Sequence, residues 1–214
     1  MSTGCKVFFV ILSCYISSCS EPIPLPKLSN DAVILAFGDS LTYGTGATKG
    51  HDYPSILSSL TSLKVINEGV PGEYSTNGLK RLSRILDDYQ PDLLILTHGG
   101  NDMLAGKPRQ KTANNIRKMI ELARQKKVAV LMLGVPLPRS FLLSSADFYE
   151  AIAEQYQVPA ELEVLPKILS DVSLKSDLVH PNNKGYQLMA EGIFNLLKKS
   201  GAVSEYLNQG EQVN

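Results

Sequence analysis

The sequence predicts an α/β domain built on a parallel sheet with helices on both faces. Three observations carry this prediction. Residues 32–37, 93–96 and 128–133 are short, continuous apolar runs, the signature of strands buried on both faces. Between them lie amphipathic stretches with apolar residues at helical spacing. The two kinds of segment alternate along the chain, as they do when helical crossovers join parallel strands. At 214 residues the chain suits one sizeable domain.

The elements follow in order. Residues 32–37 form the first expected strand. Residues 53–60 read as a short helix with Pro54 in its first turn, and residues 63–67 as the second strand. Residues 77–89 place Leu79, Leu82 and Leu86 at helical spacing, with Lys80, Arg81, Asp87 and Asp88 elsewhere. Residues 92–97 give a third strand. Residues 112–127 carry Ile116, Met119, Ile120 and Ala123 on one helical face. Residues 128–133 are the fourth strand and residues 145–155 a helix. Residues 158–172 are ambiguous: Val164-Leu165 reads as a short fifth strand, interrupted by Pro166. Residues 182–199 form the last helix, with Met189, Ile193, Leu196 and Leu197 facing inward. The domain is expected over residues 31–200, followed by a polar tail at 201–214 that frays.

Composition excludes some function classes. Lysine plus arginine equals aspartate plus glutamate at 21 each, so no global charge draws the chain to nucleic acid. Lys80-Arg81 with Arg84, Lys126-Lys127 and Lys198-Lys199 read as solvated helix faces. No His, Cys, Asp and Glu grouping has metal-ligand spacing, and no glycine-rich phosphate loop is present. No cofactor is expected.

The first twenty residues differ from the rest. Lys6 is the only charge before Glu21, and residues 7–16 are mostly apolar but too short to span a bilayer comfortably. A basic start, a short apolar core and small residues describe an export signal over residues 1–18. Cys5, Cys14 and Cys19, the chain's three cysteines, all fall in or beside this segment, so no disulfide can hold the body together. Ile16-Ser17-Ser18-Cys19 resembles the lipobox of bacterial lipoproteins, which implies acylation of Cys19, membrane attachment through it and a periplasmic, outer-membrane-anchored protein; the alternative is an ordinary signal cut nearby, with Cys19 incidental and the protein secreted. Pro22, Pro24 and Pro26 then read as part of an extended tether at 19–30.

In open parallel sheets, ligands bind beyond the carboxyl ends of the strands. Each strand delivers polar residues there. Gly38-Asp39-Ser40-Leu41 follows the first, a segment ending in Gly72 follows the second, and His98-Gly99-Gly100-Asn101-Asp102 follows the third. Asp177-Leu178-Val179-His180 precedes the last helix. A serine nucleophile needs a base, the base an orienting acceptor, and the developing oxyanion needs donors. Ser40 would attack, His180 would take its proton and Asp177 would hold the imidazole. The N–H groups of Ser40 and Gly72 and the Asn101 amide would meet the oxyanion. Each residue alone has a plain alternative: His180 can flank the last helix, Asp177 can cap it, and the glycines can be turn residues. Asp39 is expected to shape the turn. His98 is a rival base, but no carboxylate precedes it at short spacing and it reads as a packing or supporting residue. His51 sits in a polar loop and reads as solvent-exposed.

Taken together and in this order, the four blocks resemble the SGNH-hydrolase superfamily, the GDSL esterases and lipases. They are Gly38-Asp39-Ser40-Leu41, Gly72 within Val70-Pro71-Gly72-Glu73, Gly99-Gly100-Asn101-Asp102, and Asp177-Leu178-Val179-His180. Ile66-Asn67 and Asn77-Gly78-Leu79-Lys80-Arg81-Leu82 are similar to the bacterial periplasmic thioesterase/lysophospholipase and arylesterase branch. Thr97 and His98 stand where relatives vary, and residues 159–176 match poorly.

The resemblance implies a flavodoxin-like three-layer α/β/α fold with a central sheet of about five strands. It implies cofactor-free hydrolysis of a small acyl ester or thioester through an acyl-enzyme, the substrates being short- to medium-chain esters, acyl-CoA or lysophospholipid. The alternatives are a carbohydrate O-deacetylase of the same superfamily or a non-catalytic envelope binding module. Met103-Leu104-Ala105, Leu137-Pro138 and Phe141-Leu142-Leu143 are candidates for an acyl groove or for core. Acylation of Cys19 has a direct test: globomycin is expected to block processing of the precursor, and processing that ignores it rules the modification out.

Overall fold

The computed structural model describes residues 22–137 and 144–204. The export signal with Cys19, the groove candidates Pro138 and Phe141-Leu142-Leu143, and the tail from residue 205 lie outside them.

Five parallel strands run in the order β2-β1-β3-β4-β5. They are β1 (Val33–Gly38), β2 (Lys64–Gly69), β3 (Leu93–Thr97), β4 (Ala129–Leu133) and β5 (Ala160–Glu161). The three apolar runs become β1, β3 and β4, and every residue of β3 is buried. The longer helices are α2 (Tyr53–Thr61), α3 (Ser75–Tyr89), α5 (Arg109–Gln125), α6 (Asp147–Tyr156), α7 (Val164–Ser170) and α8 (Asn183–Lys199); α1 (Ser40–Tyr43) and α4 (Gly100–Leu104) are single turns. α3 packs on α5 and α5 on α6, while α2 packs on α8 and α8 on α7. The sheet lies between these groups, its apolar side chains buried in both.

Three expectations are corrected. Val164-Leu165 is the start of α7, not a strand, and Pro166 is tolerated because a proline in a first helical turn removes no intrahelical bond. The fifth strand is Ala160-Glu161, which pairs with Met132-Leu133. The tether is not free along its length: the Leu25 N–H donates to the Ser200 carbonyl at 2.8 Å and the Leu28 N–H to Ala202 at 2.8 Å. Both leucines pack on the core, and Ala202 and Val203, placed in the polar tail by sequence, are buried beside it.

The order of the strands locates the site. From β1 the chain goes outward to β2, then crosses back to β3 on the other side of β1. That reversal opens a crevice at the carboxyl ends of β1 and β3. Register aligns those ends, since Gly38 sits opposite Gly69 on one side and Thr97 on the other.

Gly38 is tightly packed where those strand ends meet. A Cβ there would lie 2.1 Å from the Thr97 carbonyl and 2.3 Å from Thr42 Oγ1. Gly38→Ala is expected to destabilise the protein by about 1–3 kcal/mol, the usual cost of overpacking. Urea denaturation measures it, and an unchanged midpoint would show that the strand ends can part.

Candidate active site

Asp39 turns the chain at the end of β1. Its carboxylate accepts the Leu41 N–H at 3.1 Å and so caps α1, whose first residue is Ser40. The first N–H groups of a helix have no intrahelical carbonyl to bond, which leaves the Ser40 N–H available. Burial pushes the Asp39 carboxyl up, with the His98 charge and the Leu41 N–H opposing it. Asp39 shapes the turn, as expected.

His180 reaches Ser40 from the other end of the sequence. Its Nε2 is 3.0 Å from Ser40 Oγ, and its Nδ1 is 2.7 Å from Asp177 Oδ2. The other carboxylate oxygen of Asp177 accepts the N–H groups of Val179 and His180 at 2.8 and 2.9 Å. Burial raises the Asp177 carboxyl, but the His180 ring and these two N–H groups outweigh it and hold the group below its ordinary value. An ionised Asp177 accepts a hydrogen bond from Nδ1–H and so fixes the tautomer whose Nε2 lone pair faces Ser40. Such a chain can take a proton from a hydroxyl.

The three oxyanion candidates are placed unequally. Asn101, on α4, lines the same cleft as Ser40 and His180. Gly72 is not among the residues that line it and sits on an exposed turn with φ of 75°. The two are joined through the next residue, because Asn101 Nδ2 donates to the Glu73 carbonyl at 3.2 Å. α4 is itself anchored: the Asp102 carboxylate accepts the Ser75 N–H at 2.7 Å and the Ser75 hydroxyl at 2.9 Å.

Behind Gly72 lies a buried ionic group. Arg81 Nε donates to both Glu73 carboxylate oxygens at 2.9 and 3.0 Å, and Nη2 adds a third bond at 2.8 Å. Nη1 reaches the Glu68 carboxylate at 3.2 Å. Nη2 also meets the carbonyls of Glu68 at 2.8 Å and Gly38 at 3.3 Å, and the guanidinium lies 4.0 Å over the Phe37 ring. Arg81, assigned from sequence to a solvated face, has a side chain only 17% exposed, whereas Arg84 stays on the surface at 71%. His98 is buried and its Nε2 is 3.1 Å from Glu73 Oε2. Its carboxylate partner comes from 25 residues earlier, which is why local spacing could not reveal it. His51 is exposed, as expected.

A sequence model of the GDSL-like lipase/acylhydrolase family matches residues 36–188, well over half of the chain. The chain belongs to this family. An arylesterase of Vibrio mimicus is 28% identical over 176 residues, covering 78% of this chain and 88% of the relative. Thioesterase 1/protease 1/lysophospholipase L1 of Escherichia coli K12 is 28% identical over 169 residues, covering 74% and 79%. Among solved structures, AlinE4, an SGNH-hydrolase family esterase, superposes with a TM-score of 0.61 at 28% identity over 81% of this chain and 98% of its own. The psychrotrophic esterase EstA from a Pseudoalteromonas species gives 0.69 at 22% identity, over 79% and 98%, a likeness of fold.

In this GDSL-like chain, Ser40 opens onto a cleft of about 430 Å³. Leu41, Leu104, Val135, Leu137, Leu169 and Leu178 make it largely apolar. Of the sequence candidates for an acyl groove, Leu104 and Leu137 line it, Met103 is core and Ala105 is exposed. Leu169, Leu178 and Val135 were missed, since apolar residues at those positions read equally well as core. Among the described residues, no group of three or more His, Cys, Asp or Glu side chains could hold a metal, and no helix is long and apolar enough to cross a membrane.

Burial raises the Glu73 carboxyl, but hydrogen bonds from His98 and Arg81, with the Arg81 charge, hold it below its ordinary value of 4.5. A depressed carboxyl contributes stability that is complete above its unfolded value and is lost as pH falls through the folded one. Glu73→Gln is therefore expected to cost on the order of 3 kcal/mol near neutrality, by removing the carboxylate that meets Arg81 Nε and Nη2 and leaving Glu68 as its one charged partner among the described residues. That cost should shrink as pH falls through and below the ordinary carboxylate range. Urea midpoints of both proteins across that range check the sign; a gap that widens in acid would contradict it.

Proposed function

We propose that the protein hydrolyses carboxylic esters or thioesters of short- to medium-chain acyl groups through an acyl-enzyme on Ser40. The observation that carries this reading is the hydrogen-bonded line from Asp177 through His180 to Ser40, with 2.7 and 3.0 Å separations, opening on an apolar cleft. Ser40 Oγ bonds to the acyl carbon as its proton passes to His180 Nε2, and the carbonyl oxygen becomes an oxyanion. The Ser40 and Gly72 N–H groups and Asn101 Nδ2 are assigned as its donors. The C–O or C–S bond then breaks and His180 returns the proton to the leaving alcohol or thiol. Water, deprotonated by His180, attacks the acyl-enzyme, and the acid leaves with Ser40 restored.

The apolar cleft favours an acyl chain over an acetyl group, which would leave most of the 430 Å³ unfilled. The named activities of the relatives, arylesterase and thioesterase/lysophospholipase, support an acyl ester or thioester as the substrate class. We also propose that the enzyme is exported and held at a membrane by acylated Cys19, on the strength of Lys6, the apolar run at 7–16 and the residues before the cysteine.

Two measurements test the enzyme reading. A fluorophosphonate is expected to label the wild-type protein and not Ser40→Ala, while Asn101→Ala should lose on the order of 10²–10³ in turnover. With p-nitrophenyl acetate, butyrate and octanoate, kcat/KM is expected to rise beyond acetate. Acetate alone being cleaved would point to deacetylation, and no cleavage of any to a binding module.

A further inference from the structure

We propose that His98, acting through Glu73 and with Arg81, is a positioning residue for the oxyanion donors opposite Ser40. The inference rests on the hydrolase reading above and goes beyond it. Glu73 is the hinge of the relation. It directly follows Gly72, and its carbonyl accepts Asn101 Nδ2 at 3.2 Å, so its backbone touches both candidate donors outside α1. A carboxamide carries two N–H groups. Fixing one on the Glu73 carbonyl settles which end of the amide is nitrogen and leaves the other N–H for an oxyanion.

The Glu73 side chain is held from two sides. Arg81 takes both carboxylate oxygens, and His98 Nε2 takes one of them at 3.1 Å. Since Glu73 is held ionised, it can only accept, and His98 Nε2 is the donor. The ring is itself wedged. Tyr149 donates to the His98 carbonyl at 2.7 Å, and Phe37 lies at 6.0 Å between centroids. On the remaining side is Gly78, where a Cβ would fall 2.3 Å from His98 Nε2. A glycine is required there for the histidine to reach Glu73. His98 Nδ1, buried, has no partner among the described residues. An unpaired buried nitrogen is a cost that an apolar side chain would avoid, so packing alone does not account for a histidine here. Its Nε2–H does.

The test uses His98→Leu, which keeps bulk and removes the donor, His98→Gln, which keeps a donor, and Gly78→Ala, which displaces the ring without changing it. Sites are counted with a fluorophosphonate, and kcat and KM are measured on p-nitrophenyl butyrate. Inhibition by an alkyl trifluoromethyl ketone is measured beside them. Ser40 Oγ adds to the ketone carbon, its proton goes to His180 and the carbonyl oxygen becomes an alkoxide that needs the same donors.

For His98→Leu and Gly78→Ala, kcat per titrated site is expected to fall about tenfold, as a sub-ångström misplacement predicts. The inhibition constant should rise by the same factor with KM within twofold, and His98→Gln should recover most of both. Should His98→Leu not fold, Gly78→Ala and Arg81→Lys carry the same comparison. Unchanged kcat and inhibition per site overturn the inference, as does a kcat loss without the matching rise in inhibition constant. A wild-type protein that neither labels nor turns over overturns the hydrolase reading and this inference with it; labelling at Ser40 with unchanged variants overturns this inference alone.

Discussion

A carboxylate buried to within 9% of complete exclusion, as Glu73 is, can stay charged only if its oxygens are met by donors. Meeting that demand organises the carboxyl edge of the sheet. Arg81 satisfies it with a planar fork that lysine lacks, and its remaining N–H groups reach the carbonyls that end β1 and β2. One guanidinium thereby fastens the strand that leads to Ser40, the strand that leads to Gly72 and the side chain that follows Gly72. The attraction within a buried pair is largely offset by desolvation, so such a group is a poor source of net stability. Its effect is geometric. Few other arrangements of these loops would leave Arg81 and Glu73 paired.

The acid–base side is built differently. Asp177 has a side chain 52% exposed and sits on a loop, yet its geometry with His180 is closed locally. Two backbone N–H groups within three residues hold one carboxylate oxygen while the other faces the imidazole. The loop is pinned at its base, where Ser176 N–H donates to the His180 carbonyl at 3.0 Å and the Asn182 side chain donates to Ser173 and Lys175 carbonyls at 2.8 and 3.2 Å. The Asp177–His180 pair is therefore a locally closed unit that needs only to be brought to Ser40. The proposed donors come from three strand ends, and on our proposal the buried ionic group sets their relative placement.

This contrast explains what the sequence showed. The alternating pattern revealed the sheet because β1, β3 and β4 are buried on both faces and must be continuously apolar. Asp177 and His180 were legible because their relation is local, three residues apart. Ser40 was legible because a strand end and a turn frame it. Glu73, Arg81 and His98 were not read together, since their contacts span the sheet edge and a lone arginine on an amphipathic helix looks like any solvated charge. β5 was misplaced because two residues at a sheet edge carry no period. Val164-Leu165 had the apolarity of a strand but the neighbours of a helical first turn.

The cleft wall was the least legible part of the site, for a physical reason. Proton transfer and oxyanion binding accept few residue types, at positions tied to strand ends, and so leave marks in a sequence. An apolar wall asks only that Leu104, Val135, Leu137, Leu169 and Leu178 be apolar, a condition that core positions meet equally well. Val135 and Leu169 are in fact as buried as core, and exposure sets apart only the residues at the rim. Leu104 is 53% and Leu178 88% exposed, at the rim of the cleft that holds Ser40. Large apolar side chains left in water beside a nucleophile are a cost the fold itself does not require. On the proposed hydrolase reading they would mark the side from which an apolar substrate group enters, and Leu178, between Asp177 and His180, would set that entrance on the proposed base.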